Sequence, residues 1–468
     1  MNKLASATGK SRRLSDEAVL DRVQRATFQW FLDCQNHETG LIFDRTRPGC
    51  PATIAGVGFA LTAYPVAVNR AWISRDEAAA YAIKVLRILA NAPQGDGKSG
   101  FSGYRGFFYH FLDPATGLRA TAPTFWDSEL STIDTGLLMA GVSFARTYFN
   151  KRNAVEKEIR SLCSALLERI DWAWMIRQDM KIHHGWTPEN GVIPHIYGGY
   201  SEALLLYLQA LAPKNDPAPA ACWRSLMDGV KAEKFGGKPY IAMPGTPLFC
   251  YQYPHCWIDF RGIADDTNRR LGFDYFQNSV RATKAQHRYC VDNPNGWRGY
   301  DELDWGLTAC DGPGDGSKVV DGKQRVFHGY SERGSPRGFD DGTMAPTAAV
   351  SSVVFTPGQS IRTIRFWLKH RPELFSEISG FADAFNPTFD TTKPSGWVGV
   401  DRVAIDQGPI VLMIENYRSQ FVWKVMHKDG SLKRALRRAG FTGGWLQKAA
   451  VYKHTTVQTR GLVCAVRI

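Results

Sequence analysis

Residues 56–92 read GVGFALTAYPVAVNRAWISRDEAAAYAIKVLRILANA, and this stretch contains two helical patterns separated by only a few residues. Apolar residues recur at helical spacing over 56–71 and again over 74–92. A comparable pattern follows Ser15, which together with Asp16 and Glu17 is typical of a helix start. The other predicted helices are 127–149, 153–174, 201–212, 271–290, 344–354, 357–371, 409–425 and 430–439. Strand-like alternation occurs only in short pieces such as 457–468.

The order of these elements narrows the fold class. A chain with about a dozen helices and no strand alternating between them is neither a doubly wound sheet nor a TIM barrel. An open solenoid would show a repeat of about 20 to 50 residues, and the sequence has none. The loops are long and individual. A closed toroid of helical hairpins, with functional loops gathered at one end, is therefore predicted.

Length and composition limit the domain organisation and the class of partner. The 468 residues could hold two or three average domains, but no linker is visible. We predict a flexible segment over 1–14 and one domain over 15–468. The content of 44% hydrophobic and 22% charged residues is typical of a soluble globular protein, without an apolar run of the length that spans a membrane. The net charge of +12 is dispersed, so a nucleic-acid partner is not expected.

Motifs for metals, nucleotides and redox chemistry are missing from the sequence. The nine cysteines form no CxxC pair and no zinc spacing, so most are expected to be buried free thiols, with one or two disulfides left open. There is no P-loop, HExxH, GxSxG or Rossmann fingerprint. The pair His183–His184 lacks a third ligand at metal-binding spacing. Neither a metal nor an organic cofactor is predicted.

Five loop segments combine aromatic rings with Asp, Asn, His and Arg: 103–111, 183–191, 250–262, 293–316 and 394–401. Sugars present weakly polar C–H faces and rims of hydroxyls, so a carbohydrate groove needs aromatic platforms and hydrogen-bonding side chains. A single loop Trp more often packs its loop onto the helices. The co-occurrence in five loops favours a carbohydrate groove.

Residues 125–141, FWDSELSTIDTGLLMAG, hold three carboxylates and no Lys or Arg. Glycoside hydrolysis needs two carboxyl groups, one protonated and one ionised, and burial favours the protonated form. On a helix over 127–149, Asp127 and Asp134 would face the same way, whereas Glu129 would lie roughly 200° from Asp127. Asp127 is explained equally well as the N-cap of that helix.

Glu202 lies at the start of a very apolar helix, within GGYSEALLLYLQALA (198–212). It is either a functional carboxyl group or a first-turn acid that the helix dipole favours. The residues alone leave these two interpretations open.

A third apolar run interrupted by acids is AIDQGPIVLMIENYRSQFVW (404–423). Pro409 suits the first position of a helix, which would put Asp406 and Gln407 just before it. Glu415 is predicted to pair with Arg418 or another cation, because a buried carboxylate needs a partner.

Several of these runs together resemble a known family, the bacterial glucoamylase-like domain. The similarity is carried by WDSELSTIDTGLLMAGVSFARTYF, GWTPENGVIPHIYGGYSEALLLYLQALA, YQYPHCWIDFRGI, GYDELDWGLTACDGP and AIDQGPIVLMIENYRSQFVWKVM, in the same order between Asp21 and Phe441. That group includes the endo-β-1,2-glucanases of glycoside hydrolase family 144 and the transglycosylation domain of cyclic β-1,2-glucan synthases. The resemblance implies an all-α (α/α)6 toroid with its site at the wide end of the cavity, a β-glucan substrate, and no cofactor.

The resemblance also implies roles for individual residues. Glu202 is expected to be the proton donor, and Asp127, Glu129 and Asp134 supply candidates for the base or nucleophile. Family-144 glucanases tend to carry an acid at the position of Ser131 and Glu at that of Asp134, so this sequence departs from them there. The residues expected to line sugar subsites are Asp44, Arg45, Trp126, Trp186, Tyr200, Tyr253, His255, Trp257, Asp259, Arg261, Trp297, Asp304, Trp305, Asp311, Asp406 and Gln407.

The sequence and the resemblance together predict a glycoside hydrolase of linear or cyclic periplasmic-type β-1,2-glucan, endo-acting and inverting. The alternatives are a glucan transglycosylase or cyclising enzyme, an exo-acting β-glucosidase or sophorose-releasing enzyme, and a glycan-binding protein. A monomer is expected. The first twenty residues lack the apolar core of a signal peptide. Because related glucanases work in the periplasm or outside the cell, we expect that location with the leader absent from this chain, and the cytoplasm is the alternative.

Overall fold

The computed structural model describes residues 14–243 and 245–447, and within them the secondary structure is mainly helical. The helices are α1 (Asp16–Asp33), α2 (Ile54–Asn69), α3 (Arg75–Asn91), α4 (Thr132–Tyr148), α5 (Ala154–Glu168), α6 (Ala203–Leu211), α7 (Ala221–Leu226), α8 (Phe249–Trp257), α9 (Asp266–Leu271), α10 (Tyr275–Asp292), α11 (Pro346–Val350), α12 (Pro357–His370), α13 (Ala404–Arg418), α14 (Phe421–Met426) and α15 (Gly430–Arg438). The predicted strand at 457–468 and most of the predicted flexible segment at 1–14 lie outside the described residues.

The strands are short and pair antiparallel in the loops. They are β1 (Ala52–Thr53), β2 (Gly103–Tyr104), β3 (Phe107–Phe108), β4 (Phe111–Leu112), β5 (Leu130–Ser131), β6 (Gly185–Thr187), β7 (Gly191–Val192), β8 (Ala309–Cys310), β9 (Gly316–Val320), β10 (Lys323–Phe327), β11 (Ser331–Glu332), β12 (Phe375–Ser376), β13 (Gly380–Phe381), β14 (Phe385–Asn386) and β15 (Trp397–Val398). All form two-stranded ribbons except β5, β6 and β7, which form one three-stranded sheet.

Six helices form a closed inner ring in the order α2, α4, α6, α8, α11 and α13. The ring closes between α8 and α11 because Gln252 donates to the carbonyl oxygen of Ala348 (2.8 Å). The outer layer consists mainly of α1, α3, α5, α10, α12 and α15, which pack against the inner helices. The architecture is an (α/α)6 toroid, which confirms both the closed toroid of helical hairpins predicted from the helix pattern and the (α/α)6 form that the resemblance implied.

Helices α2 and α4 make the closest contact in the ring, and two glycines permit it. A Cβ added at Gly141 would lie 2.0 Å from the carbonyl oxygen of Gly58, and one added at Gly58 would lie 2.4 Å from that of Leu137. Any side chain at either glycine would therefore force the helices apart. Residues 54–67 of α2 are all buried, because the helix has neighbours on every side.

The inner helices begin at one end of the toroid, and α14 covers the other end. Phe421 of α14 packs edge-on against Phe144 and Tyr148 in the second half of α4. Trp423 donates its indole N–H to the carbonyl oxygen of His255 near the end of α8 (2.7 Å). The long loops, by contrast, lie where the inner helices start, so the cavity opens there.

The basic run 433–438 has a structural use. Arg434 and Arg438 of α15 donate to the carbonyl oxygens of Ala212 (2.8 Å) and Leu211 (2.7 Å), at the end of α6. Arginines placed there satisfy carbonyl groups that have no partner within the helix. Two of the clustered positive charges are thus engaged within the fold.

Helix α13 begins at Ala404, so the prediction that Pro409 opens this helix is wrong. A proline inside a helix leaves the carbonyl oxygen four residues earlier without its N–H partner. Here that oxygen belongs to Ile405, and it accepts the hydroxyl of Tyr253 instead (2.9 Å). A side chain of α8 therefore compensates for the proline and lets the helix start five residues earlier.

The prediction that Glu415 pairs with a cation is confirmed, and the cation is Arg70. The guanidinium Nε lies 2.6 Å from the carboxylate, which is fully buried. Arg418 pairs instead with Glu17 and Asp21 of α1.

The eight cysteines within the described residues are all free thiols. No helix among these residues is long and apolar enough to cross a membrane.

Candidate active site

Three acidic residues lie where inner helices begin, at the open end of the toroid. Asp134 is in the first turn of α4, Glu202 immediately precedes α6, and Asp406 is in the first turn of α13. The start of a helix carries a partial positive charge, which favours carboxylates nearby. The fold therefore gathers acids around the mouth of the cavity. The first turns of these three helices contain no lysine or arginine.

The start of α4 differs from the prediction. Leu130 and Ser131 form strand β5, which pairs with β6, so the helix begins at Thr132 rather than at residue 127. Ser131 is the N-cap: its Oγ accepts the backbone N–H of Asp134 (3.2 Å) and donates to the Asp134 carboxylate (2.5 Å). The serine thus fixes the orientation of that carboxylate.

Asp127 is exposed in the loop before β5 and accepts the backbone N–H of Ala122 (3.1 Å). Because this segment is not helical, the predicted common face of Asp127 and Asp134 is wrong. The acid that shares a site with Asp134 is Glu129. Asp127 is also not the N-cap of α4.

His110 joins Glu129 and Asp134. Its Nδ1 lies 2.8 Å from the Glu129 carboxylate, and its Nε2 lies 3.5 Å from that of Asp134. The backbone N–H of His110 donates to the carbonyl oxygen of Glu129 (2.9 Å), which fixes this arrangement, and the ring stacks on Phe111. Burial disfavours the imidazolium, but the charges of Asp134 and Glu129 outweigh it and raise the pKa of His110 to about 9.

Glu202 has a different environment. Burial raises the pKa of its carboxyl group, and the nearby charges of Glu332 and Asp134 act in the same direction. The thiol of Cys250 donates to the Glu202 carboxylate (3.0 Å) and opposes this shift. Glu202 is thereby suited to hold a proton where Glu129 is not, because the hydrogen bond with His110 holds the pKa of Glu129 below its ordinary value despite burial.

Arg45 joins a second group of carboxylates at the mouth. Its Nε contacts Asp44 (2.8 Å), and its Nη1 contacts Asp311 (2.9 Å) and Asp401 (3.4 Å). Burial raises the pKa of Asp44 even though Arg45 counteracts it. One guanidinium therefore faces three carboxylates from three separate loops.

Asp383 and Asp406 form a buried acidic pair next to this network. Burial raises the pKa of Asp383 to about 6, although a hydrogen bond with Asp406 opposes the shift. Burial and the charge of Asp383 raise the pKa of Asp406 well above its ordinary value. The backbone N–H of Asp311 donates to Asp383 (2.8 Å). The pair therefore retains a proton near neutral pH.

Aromatic side chains stand at the rim. An open cleft of about 430 Å³ is lined by Asp44, Arg45 and Trp126, among others, and Trp126 is 49% exposed. Tyr330 is 67% exposed and lies within electrostatic reach of Glu332, Asp383 and Asp406. These rings could offer flat apolar surfaces to a sugar above the carboxylates.

The structure brings some of the predicted site residues together at the mouth. They are Asp44, Arg45, Trp126, Glu129, Asp134, Glu202, Asp311 and Asp406. Their roles in chemistry stay predictions.

The predicted subsite residues Trp257, Asp259 and Arg261 lie at the closed end of the toroid, where α8 finishes. Trp257 is fully buried and donates to the Thr62 hydroxyl (2.9 Å). Asp259 pairs with Arg261 (2.7 Å). The expectation that these three line sugar subsites is therefore wrong, because the helix carries them away from the mouth.

The predicted subsite residues that are buried make internal hydrogen bonds instead. Most of their polar groups have a partner within the fold, whereas Nδ1 of His255 and Oε1 of Gln407 have none among the described residues. Tyr200 and His255 bond to Ser279, Trp297 to Asp340, Asp304 to Arg371 and Trp367, Trp305 to Thr363, Tyr253 to Ile405, and Gln407 to Phe381. They support the fold rather than face the cleft. Trp186 is half-buried against Tyr104 and Trp174.

Sequence reasoning missed His110, Cys250, Glu332, Asp383 and Asp401. His110 lies in one of the five aromatic loops, so a search for titratable groups there would have found it. Asp383 lies between aromatic and small residues in GFADAF, which is also an unusual setting for an acid. Among the described residues, no group of three or more His, Cys, Asp or Glu side chains has the arrangement of a metal site.

Comparison with known proteins identifies the family. A family model described as "Putative glucoamylase" matches residues 194–430, just over half of the chain. A curated relative, the exo β-1,2-glucooligosaccharide sophorohydrolase (non-reducing end) of Parabacteroides distasonis, is 27% identical over 454 residues. The match covers 91% of this chain and 58% of the relative, so the chain spans little more than half of that protein.

Solved structures agree with this assignment. A crystal structure of a "putative glucoamylase" from Bacteroides uniformis has a TM-score of 0.82 at 29% identity, covering 93% of this chain and all of that one. The endo-β-1,2-glucanase of Chitinophaga pinensis, in complex with sophorotriose and glucose, has a TM-score of 0.79 at 25% identity, covering 93% and 100%. With its family match, its toroid and its acidic mouth, the chain belongs to the glucoamylase-like family.

Proposed function

We propose that this protein is a glycoside hydrolase that cleaves β-1,2-glucan with two carboxyl groups. The observation that carries the proposal is that two acidic side chains at the mouth lie near each other in different electrostatic environments. Burial of its carboxyl group raises the pKa of the half-buried Glu202, whereas Asp134, within its electrostatic reach, faces the imidazolium of His110. Glycoside hydrolysis requires one protonated and one ionised carboxyl group, and here one carboxyl group is kept from water while the other faces a cation. The β-1,2-glucan substrate follows from the relatives in P. distasonis and C. pinensis.

In this proposal Glu202 donates its proton to the glycosidic oxygen as the bond to the anomeric carbon breaks. Asp134 takes a proton from the water that attacks the anomeric carbon from the opposite face. The leaving sugar thus gains the proton of Glu202, and the other sugar gains the hydroxide. Water attack without a covalent intermediate inverts the anomeric configuration. Asp127 stays outside the proposed chemistry, because it lies in an exposed loop.

The Asp383–Asp406 pair is a second candidate for the base. Its two carboxyl groups are buried together at the same mouth, and the ionised member could accept a proton from water. Comparison of Asp134→Asn with Asp406→Asn separates the candidates. The variant that lacks the base should lose activity on the glucan and also on a substrate whose leaving group needs no protonation. Loss of Glu202 should abolish activity on the glucan but spare activity on that second substrate.

The proposed action is endo, and product analysis tests it. Incubation with linear β-1,2-glucan should release a range of oligosaccharides early, and NMR should show the α-anomer first. Sophorose as the sole early product would indicate the exo mode of the P. distasonis relative. Cyclic or longer products without new reducing ends would indicate transfer. Retention on a glucan gel without products would indicate a glycan-binding protein.

We also propose that the protein acts as a monomer in the periplasm or outside the cell, where such glucans occur. Size-exclusion chromatography with light scattering tests the oligomeric state. Fractionation of the cells that make the protein tests its location, and recovery in the cytoplasmic fraction would contradict the proposal.

A further inference from the structure

We propose that His110 is a positioning residue that serves as the internal counter-ion of Asp134 and Glu129, keeping both carboxylates ionised and oriented at the mouth. The inference rests on the proposed function and deepens it, because it names the cation that faces the proposed base beside Glu202. It does not depend on the substrate.

The geometry carries the proposal. The two ring nitrogens point at two different carboxylates, at 2.8 Å for Glu129 and 3.5 Å for Asp134. The Nδ1 contact is a hydrogen bond and the Nε2 contact is an ion-pair contact, and two ionised carboxylates beside the ring favour its cationic form. Stacking of the ring on Phe111, with 3.8 Å between the ring centroids, leaves it little freedom to turn away.

Backbone hydrogen bonds hold His110 next to Glu129. His110 lies between β3 and β4, and its N–H donates to the carbonyl oxygen of Glu129 while Tyr109 and Leu130 pair across the same junction. The two segments are therefore held side by side. Asp134 lies in the first turn of α4, where Ser131 holds its carboxylate.

The largest charge effects on His110 among the described residues come from three acidic side chains. Asp134 comes from α4, Glu129 from the loop before β5, and Asp44 from the loop before α2. Burial alone would leave the ring neutral, and the acids outweigh it. Arg119 also acts on Glu129. If the imidazolium were removed, Asp134 would lose the cation that it faces and Glu129 would keep only the more distant Arg119, so one of the two carboxylates would take up a proton at higher pH.

Titration of the imidazole by NMR tests the inference directly, without substrate. The signal of His110 is identified by its loss in His110→Gln. We expect a midpoint near pH 9 in the unaltered protein. In Asp134→Asn the midpoint should fall by about 1–3 pH units, because an opposite charge has been removed. A midpoint at or below pH 7 in the unaltered protein, or one that Asp134→Asn leaves unchanged, would overturn the proposal.

Two variants then test the effect on activity. An Asn side chain at position 110 retains a donor near Nδ1 for Glu129, and Gln retains one near Nε2 for Asp134, but neither carries charge. Both should move the acidic limb of kcat/KM upward by about 1–3 pH units. If His110→Gln kept the acidic limb of kcat/KM at its original pH, His110 would act only by orienting Asp134, and the counter-ion role would be wrong.

His427 offers a matched control at the closed end of the toroid. It also lies beside a carboxylate, that of Asp259 (3.3 Å), and stacks on an aromatic ring, that of Trp445. His427→Asn should leave the pH profile unchanged. If the protein does not act on β-1,2-glucan at all, the proposed function fails while the NMR titration still decides the role of His110.

Discussion

The thiol of Cys250 donates a hydrogen bond to the carboxyl group of Glu202 (3.0 Å), so the proposed proton donor is tuned by a side chain of the neighbouring inner helix. This bond favours the ionised form of Glu202 and thereby opposes the effect of burial on its pKa. The pKa of the proposed acid is therefore set by two opposing effects, burial at the start of α6 and the hydrogen bond from Cys250 of α8.

Removal of that thiol should extend activity to higher pH. In Cys250→Ala the pKa of Glu202 should rise, because the bond that stabilises its ionised form is lost, and the alkaline limb of kcat/KM should move upward by about 0.5–1 pH unit. Cys250→Ser retains a donor and should restore the original limb. Cys256→Ala, at the other end of the same helix, controls for loss of a buried thiol. An unchanged limb in Cys250→Ala would contradict the assignment.

Glu202→Gln and Asp134→Asn should each lower turnover by about 10²–10⁴-fold, since each removes a group proposed to transfer a proton. Circular dichroism and thermal unfolding should stay close to those of the unaltered protein. Near-normal turnover of Glu202→Gln would exclude this residue as the acid. Asp127→Asn is the matched control, because its exposed carboxylate bonds to a single loop N–H among the described residues, and the activity of this variant should change little.

Trp126→Ala should weaken substrate binding without altering the pH profile. The ring is half exposed at the cleft, so its loss should raise KM by about two- to tenfold. Stability should change little, because the side chain is not part of the core. Tyr417→Ala, which removes a comparably exposed ring near the end of α13, should leave KM unchanged. Equal effects of the two variants would mean that Trp126 does not bind sugar.

The toroid could be predicted from sequence because its helices follow local rules. Helix α1 begins where Ser15 caps it, and the Ser15 hydroxyl accepts the N–H of Ala18 as such a cap should. The start of α13 could not be predicted, since the compensation for Pro409 comes from Tyr253, about 150 residues earlier in the chain. A tertiary hydrogen bond of that kind leaves no local signal.

The site was harder to predict than the fold for a related reason. Segments rich in aromatic and polar residues occur at both ends of the toroid. Trp257 and Asp259 lie away from the mouth only because α8 runs toward the closed end. The pairing of Glu129 with Asp134 depends on His110, which is brought to them by strand pairing across a loop of about twenty residues. Helical geometry alone selected Asp127 instead.

The acidic pair should reduce stability above neutral pH. Asp383 has a pKa of about 6 in the folded protein against an ordinary value of 3.8, so its contribution to stability is complete below about pH 4 and is lost as pH rises through 6. Asp383→Asn does not titrate and should be more stable than the unaltered protein by on the order of 1–3 kcal/mol at pH 7, but similar to it at pH 4. Chemical denaturation across this range measures the difference, and Asp228→Asn, an exposed acid, serves as the control. A gain that stayed constant from pH 4 to 8 would show that the buried charge is not its cause. The expected gain in stability should accompany a loss of activity, because the same carboxyl pair lies at the mouth where substrate is proposed to bind.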